Sequence, residues 1–416
     1  MNEAFKPKEH AMKEVYVGID VHKDENVFGS AFDGRCRGEL IGKCSADMNR
    51  TLTFIRRYMK NNNLTKEQLH LCYEAGPTGF VLARRLIKLG FDCQVIAPSK
   101  IPERAGDKVK TDRLDACKLA RLHRAGELIS VHIPNVEDEV IRDVCRGRTD
   151  AVNEVKRGKQ QLSGFLLRNG YRYTKRGKQQ LSGFLLRNGY RYTKRGKQQL
   201  SGFLLRNGYR YTGKAGWTEA HMRYLRELVM PERAQKMVME EYLLRIDAAT
   251  AQVGRIDHQM ELLLQTWSRR AFVEALMGFR GFRTTAAMVL TAEVGDFLRF
   301  AHPKLFMGFP GMVPKENTTG NHRRQGNITK CGNSHARWML IECAGHYRMP
   351  PKVSKALSKR QEGLSREVRA LSWHAQNRLN NRWYKLMFRK VHHNKIQVAI
   401  ARELSSYLWD LAHLVR

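Results

Sequence analysis

The sequence predicts an α/β N-terminal domain, a helical coiled-coil middle and a mainly α C-terminal domain. Three observations carry this. Short apolar runs bounded by turn residues fill the first hundred positions, where Val15–Val21, Asn26–Phe32, Glu39–Cys44, Leu69–Tyr73 and Cys93–Ile96 are rich in β-formers. Met239, Tyr242, Ile246, Ala249, Val253, Ile256, Met260, Leu263 and Trp267 then recur at alternating spacings of three and four, the seam of a long helix. Finally, the last fifty residues carry two amphipathic stretches, with Val368, Leu371, Ala375, Leu379, Trp383 and Leu386 on one face, and Ile396, Ile400, Leu404, Leu408, Leu411 and Val415 on the other helix.

Taken in order, the first three strands meander through turns at Lys23-Asp24 and Asp33-Gly34. Helices over Ala46–Asn61 and Thr78–Leu89 then alternate with the fourth and fifth strands, and another helix begins near Thr111. That order is the order of a ribonuclease H-like sheet, in which the first and fourth strands lie adjacent. Domain boundaries are expected near 1–130, 131–270 and 271–416. The seam at 239–267 packs either against the helical stretch 138–168 or against a second subunit. Leu276–Phe282 followed by Thr284–Val294 resembles a helix–hairpin–helix that would offer amides to phosphate, with Arg283 in place of the usual second glycine.

Residues 156–174, 175–193 and 194–212 are one nineteen-residue unit three times over, KRGKQQLSGFLLRNGYRYT. Identical outer units argue against a solenoid, whose ends must differ to cap the stack. A tandem duplication, an assembly artefact or a basic arm are the readings left. Gln160–Arg168 reads as a helix ended by Asn169-Gly170.

Lys and Arg number 74 against 40 acids, a net charge of +34. The repeat supplies fifteen of these charges, and removing two copies still leaves +24. Such a field draws polyanions. No stretch approaches the length of an apolar membrane span, and the polar Met1–Lys13 lacks the core of a signal peptide, so a cytoplasmic protein without membrane contact is expected. Eight scattered cysteines without a CxxC pair read as reduced thiols.

Four acids stand out. Asp20 ends the first strand, Glu74 ends the fourth, and Asp112 and Asp115 lie three apart on one helical turn. Individually, a turn aspartate, a helix N-cap at Asp112 or an arginine partner for Asp115 would explain them. Together they form a set of hard oxygen donors suited to Mg²⁺ (or Mn²⁺) with substrate phosphate, and a pair of such ions would serve in-line displacement at phosphorus. Lys110 is the natural cation behind them. His22 and Lys23 are phosphate contacts or a plain exposed pair.

Gly18-Ile19-Asp20-Val21-His22-Lys23, Tyr73-Glu74-Ala75-Gly76 and Lys110–Ala116 resemble the DEDD transposases of the insertion-sequence one-ten family, whose first domain is like that of the RuvC resolvase. The second half agrees at Gly311–Pro314, Thr318-Thr319-Gly320, Arg323–Gly326, Ile328–Asn333 and Arg337. The resemblance implies a DNA transposase/recombinase that binds DNA and a structured guide RNA, works as a homo-oligomer (dimer or tetramer) with composite active sites, and cleaves through a C-terminal serine nucleophile beside a Mg²⁺-binding carboxylate cluster. The serine position is Thr319 here, whose methyl group crowds in-line attack, and Ser334 is a fallback. Arg323, Arg324, Lys330 and Arg337 are the phosphate ligands this implies, or else a solvated basic face. A resolvase-type metal-dependent endonuclease and a disabled nucleic-acid-binding remnant are the alternatives; a covalent protein–DNA link separates recombinase from nuclease.

Overall fold

The computed structural model describes residues 14–34, 37–102, 111–169, 218–229, 233–319 and 322–415. The chain forms two compact units, one up to Asn135 and one from Val136 onward. The second and third repeat copies, Lys110 and Cys36 lie outside the described residues.

In the first unit β1 (Val15–Val21), β2 (Glu25–Phe32) and β3 (Glu39–Ser45) run antiparallel; β4 (Leu69–Glu74) pairs parallel with β1, and β5 (Asp92–Ile96) parallel with β4. The strand order is β3-β2-β1-β4-β5, so the first and fourth strands are neighbours as expected. Strand alternation sorts the side chains. Val15, Val17 and Ile19 join Leu69, Leu71 and Tyr73 in a core closed by Leu52 and Ile55 of α1 (Met48–Asn61) and by Leu82 and Leu86 of α2 (Val81–Lys88).

The opposite face carries glycines in its two central antiparallel strands, and α3 (Asp112–Arg124) sits on it with His123 against the Tyr16 ring. A Cβ added to Gly18 of β1 would stand 2.6 Å from the Ala120 nitrogen and from the Leu119 Cβ, and one on Gly29 of β2 2.6 Å from the Cys117 nitrogen. Helix backbone therefore rests almost directly on strand backbone. Leu119 completes the contact by packing with Cys72 and Ile96.

The second unit is helical apart from one hairpin. The seam found in the sequence packs inside the chain: α6 (Arg233–Thr266) runs antiparallel to α4 (Val136–Arg168), with Leu162 and Phe165 against Met239, Leu243 and Ile246 at one end, and Ile141 and Cys145 grouped with Met260, Leu264 and Trp267 at the other. The buried line keeps to the predicted seam at Met239, Ile246, Ala249, Met260 and Trp267, and takes Leu243 and Leu264 in place of their neighbours Tyr242 and Leu263. Gly158, in the first repeat copy, admits Ile246: a Cβ there would lie 2.9 Å from its Cγ1. The helix of that copy ends at Arg168, where the Asn169 amide donates to the Phe165 carbonyl at 2.9 Å. A short α5 (Glu219–Glu227) adds Leu225 to this packing.

Beyond it lie α7 (Arg270–Met277), α8 (Thr284–Val294), α9 (Pro303–Gly308), the strands β6 (Pro314–Thr319) and β7 (His322–Ile328), α10 (Ser334–Ala344), α11 (Lys355–Arg360), α12 (Arg366–Phe388) and α13 (His393–Leu414). The amphipathic faces of α12 and α13 enter the common core with α8, whose Ala287–Val294 are buried throughout. Where the sequence suggested a helix–hairpin–helix at 276–294, the chain forms α7, ending at Met277, a turn, and α8 from Thr284. Gly281, at φ +94, lets that turn approach α10, since a Cβ there would come within 2.7 Å of the Cys343 carbonyl. The seven described cysteines are free. No described helix is long and apolar enough to cross a membrane.

Two glycines make opposite predictions. Gly18→Ala should loosen α3, lowering stability by about 1–3 kcal/mol, the usual cost of overpacking, with faster amide exchange in β1 and α3. Gly147→Ala, on an exposed part of α4 where a Cβ meets nothing, should instead raise helix stability by about 0.5–1 kcal/mol. Thermal melts with residue-level hydrogen exchange check both.

Candidate active site and the hairpin of the second unit

The seat of α3 positions the acidic residues. Asp20 follows Ile19, which pairs with Tyr73 in the parallel ladder, so Asp20 and Glu74 end adjacent strands. Both fall in the strand phase of Gly18 and Cys72, on the α3 face. The first turn of α3 brings Asp112 and Asp115 to the same end of the sheet, where negative charge is favoured by the helix dipole. The N-cap role that Asp112 could have filled belongs to Thr111, whose hydroxyl accepts from the Leu114 amide at 3.3 Å.

His22 joins them. Its Nε2 lies 3.1 Å from Asp20 Oδ2 and 3.5 Å from Asp112 Oδ1. The ligand atoms of Asp20, His22 and Asp112 all fall within 4.8 Å of one another, the one such group among the described residues. Glu74 and Asp115 stand outside this trio. The proton affinity of the Asp20 carboxyl is raised, first by burial and further by the charges of Asp112 and Asp115; His22 opposes the rise by its charge and hydrogen bond. Crowded acids of this kind relax when a cation joins them. The donor set therefore fits a hard divalent ion.

The residues singled out in the second half gather at the β6–β7 hairpin. Thr319 ends β6 exposed, paired in register with His322, and Arg323 and Arg324 lie across the ladder from Thr318 and Asn317. The Thr318 hydroxyl donates to Glu316 at 3.1 Å. Ser334 is the exposed first residue of α10.

The base of this hairpin is a backbone clamp. Lys330 N donates to the Gly311 carbonyl at 3.0 Å, Thr329 N to Val313 at 2.9 Å and Asn333 N to Phe309 at 3.0 Å. Gly311 and Gly332 both take positive φ and face the opposing backbone so closely that any Cβ would strike the Cys331 or Phe309 carbonyl. Arg337 closes the clamp, donating from Nη1 to the carbonyls of Pro310 at 2.7 Å and Lys330 at 3.1 Å. Lys330 itself is exposed and left-handed, at φ 58.

Sequence reasoning missed the residue beneath the clamp. Glu293 is a fully buried carboxylate in a helix that is otherwise apolar, small or Thr, and that contrast was the available signal. Arg146 Nε and Nη2 donate to its two oxygens at 2.8 and 3.0 Å, and Asn333 Nδ2 donates at 2.7 Å. Asn333 also caps α10 by accepting from Ala336 N at 2.8 Å. Burial pushes the Glu293 carboxyl up, but the bonds from Arg146 and Asn333 and the charges of Arg146 and Arg142 outweigh it and hold it below its usual range.

The sign of that shift sets a prediction. A depressed carboxyl contributes stability above its unfolded value of about 4.3 and withdraws it as pH falls through the folded value. The second unit should lose stability in acid below that point, and Glu293→Gln should flatten this part of the curve. Arg146→Ala, which strips the buried charge of its bidentate partner, should cost about 3 kcal/mol at neutral pH. Urea titrations across pH, read by probes in α8 and α10, check both.

Comparison with known proteins agrees with this two-part arrangement. A DEDD transposase model of the IS110 group matches residues 17–169, which hold all four acids, and the model described as transposase IS116/IS110/IS902 family matches residues 273–359, which hold the hairpin. A putative transposase, y4qE, of Sinorhizobium fredii is 35% identical over 97% of this chain and 90% of its own length. The transposase for insertion sequence element IS1533 of Leptospira borgpetersenii is 28% identical over 90% of this chain and 97% of its own. A probable family 20 transposase of Pseudomonas aeruginosa is 24% identical over 39% of this chain and 40% of its own. Helix seat, acid cluster and hairpin clamp are thus features of a DNA transposase, and the chain belongs to the IS110 family of these enzymes.

Proposed function

We propose that this transposase cuts and rejoins DNA by metal-dependent transesterification, with Asp20, Glu74, Asp112 and Asp115 as the metal-binding acids and Thr319 as the nucleophile. The observation that carries this is the convergence of Asp20 and Asp112, from a strand end and a helix start 92 positions apart, to within reach of one cation. The fold is read as ribonuclease H-like on the strand order β3-β2-β1-β4-β5. A bound Mg²⁺ or Mn²⁺ supplies charge neutralisation at the scissile phosphate and lowers the cost of the departing oxyanion.

The chain's own groups perform the remaining work. Arg323, Arg324 and Lys330, with Arg337 behind them, hold phosphate oxygens and fix the strand in line with the hydroxyl. Thr319 Oγ1 forms a bond to phosphorus as the bond from phosphorus to one sugar oxygen breaks; the threonine proton leaves to solvent and the sugar oxygen departs as a hydroxyl. Attack by a hydroxyl from another strand reverses the step and frees Thr319. One phosphoester replaces another throughout, so no external energy source is required. Target choice is assigned to a structured guide RNA and the working form to a homo-oligomer; the family resemblance supports both, and the charge of +34 suits two polyanions at once.

The test is covalent capture on nicked or junction DNA with Mg²⁺ and the cognate RNA, resolved on a denaturing gel. Wild type should give a protein–DNA band that Thr319→Ala and Asp20→Asn both abolish, while Thr319→Ser keeps or strengthens it. A band that survives Thr319→Ala would move the nucleophile to Ser334. Metal-dependent cutting with no band in any variant would establish a resolvase-type nuclease instead.

A further inference from the structure

Within the acid cluster, the residue nearest to both Asp20 and Asp112 is a histidine. We infer that His22 is a direct metal ligand through Nε2, making the centre a mixed nitrogen–oxygen site that holds Mn²⁺ more tightly than Mg²⁺. The inference rests on the reading of Asp20 and Asp112 as metal-binding acids, and extends it to a residue and an ion preference.

Local geometry fixes where the imidazole can go. His22 N donates to the Glu25 carbonyl at 3.1 Å, so the β1–β2 turn holds its backbone. It stands two positions after Asp20, just past the end of β1, and its contact with Asp112 places its ring beside α3. The separations of 3.1 Å to Asp20 and 3.5 Å to Asp112 can be compared with what a cation demands. Adjacent ligands around an octahedral ion bound at about 2.1 Å stand roughly 3 Å apart. The imidazole nitrogen is thus already spaced from each carboxylate nearly as a neighbouring ligand would be, and the three atoms lie within 4.8 Å of one another.

Chemistry supplies the preference. Mg²⁺ dehydrates reluctantly and selects oxygen donors. An imidazole nitrogen adds affinity for first-row transition ions and little for Mg²⁺. A site of oxygens alone would separate the two ions less. With His22 exposed at the sheet end, its replacement leaves the core untouched.

The experiment binds Mn²⁺ alone to the full chain and reads it by pulsed electron paramagnetic resonance, which detects a directly bonded ¹⁴N, alongside titrations with Mn²⁺ and Mg²⁺. Wild type should show nitrogen coupling that His22→Gln removes, since glutamine can bridge the carboxylates by hydrogen bonding but offers no imidazole. The same variant should weaken Mn²⁺ by at least the ~10-fold that losing even an outer partner costs a metal site, and weaken Mg²⁺ less. Binding that depends on Asp20 and Asp112 but shows no nitrogen coupling would overturn the role of His22 and leave the acid cluster standing. No Mn²⁺ binding, or binding indifferent to Asp20→Asn, would overturn the cluster itself and this inference with it.

Discussion

The direct seating of α3 on the glycines of β1 and β2 is the contact on which the acid cluster depends. Side chains at Gly18 or Gly29 would hold the helix off the sheet by a methyl group's width or more. At that distance the start of α3 would swing away from the end of β1, and Asp112 would leave the reach of Asp20 and His22. Close packing here therefore sets an electrostatic geometry. Like charges gather at one point because a dispersion-packed backbone contact puts them there; burial first, and then the charges of Asp112 and Asp115, raise the proton affinity of Asp20.

The second unit solves a similar problem by opposite means. Its hairpin presents polar and basic residues to solvent from a hydrogen-bonded base. The base is built from backbone hydrogen bonds, two glycines that permit chain-to-chain approach, and the guanidinium of Arg337. Below it, Arg146, Glu293 and Asn333 link α4, α8 and the cap of α10 through a buried charge. Such a network has little net worth over an apolar core but is costly to break, so it ties together three helices and, through Asn333, the backbone at Phe309 below the hairpin. The segments Gly311–Pro314 and Lys330–Arg337 also build this scaffold.

Function draws on both units through separate physics. The first concentrates negative charge and needs a cation. The second carries exposed cationic residues on a stiff hairpin and suits a phosphate backbone. A chain of net charge +34 supplies the long-range attraction that brings nucleic acid to either one, while the local acids keep a small region of opposite sign for the ion. The proposed transesterification fits this division, because its demands are positioning and charge stabilisation with no change in bond energy to be met from outside.

By itself the sequence determined the strands, the helices and their faces. Alternation in Val15–Val21 and Leu69–Tyr73, the spacing from Met239 to Trp267 and the stripes of the two tail helices are local consequences of backbone period, and a linear pattern records them. It also marked Asp20 and Glu74, because carboxylates at the ends of apolar runs are conspicuous, and Asp112 and Asp115, which stand three apart on one helical turn. Tertiary structure alone decided which of these meet and what else joins them. His22 read equally well as an exposed strand-end residue until α3 brought Asp112 beside it. Arg337 read only as a phosphate ligand, and the fold alone showed that its guanidinium also holds the carbonyls of Pro310 and Lys330. Glu293 needed Arg146, distant in sequence, to make its burial sensible. The long-helix seam could equally have joined two subunits until α4 covered it. Each case turns on contacts between residues far apart in the chain, and a periodicity carries no information about which distant partner the fold will supply.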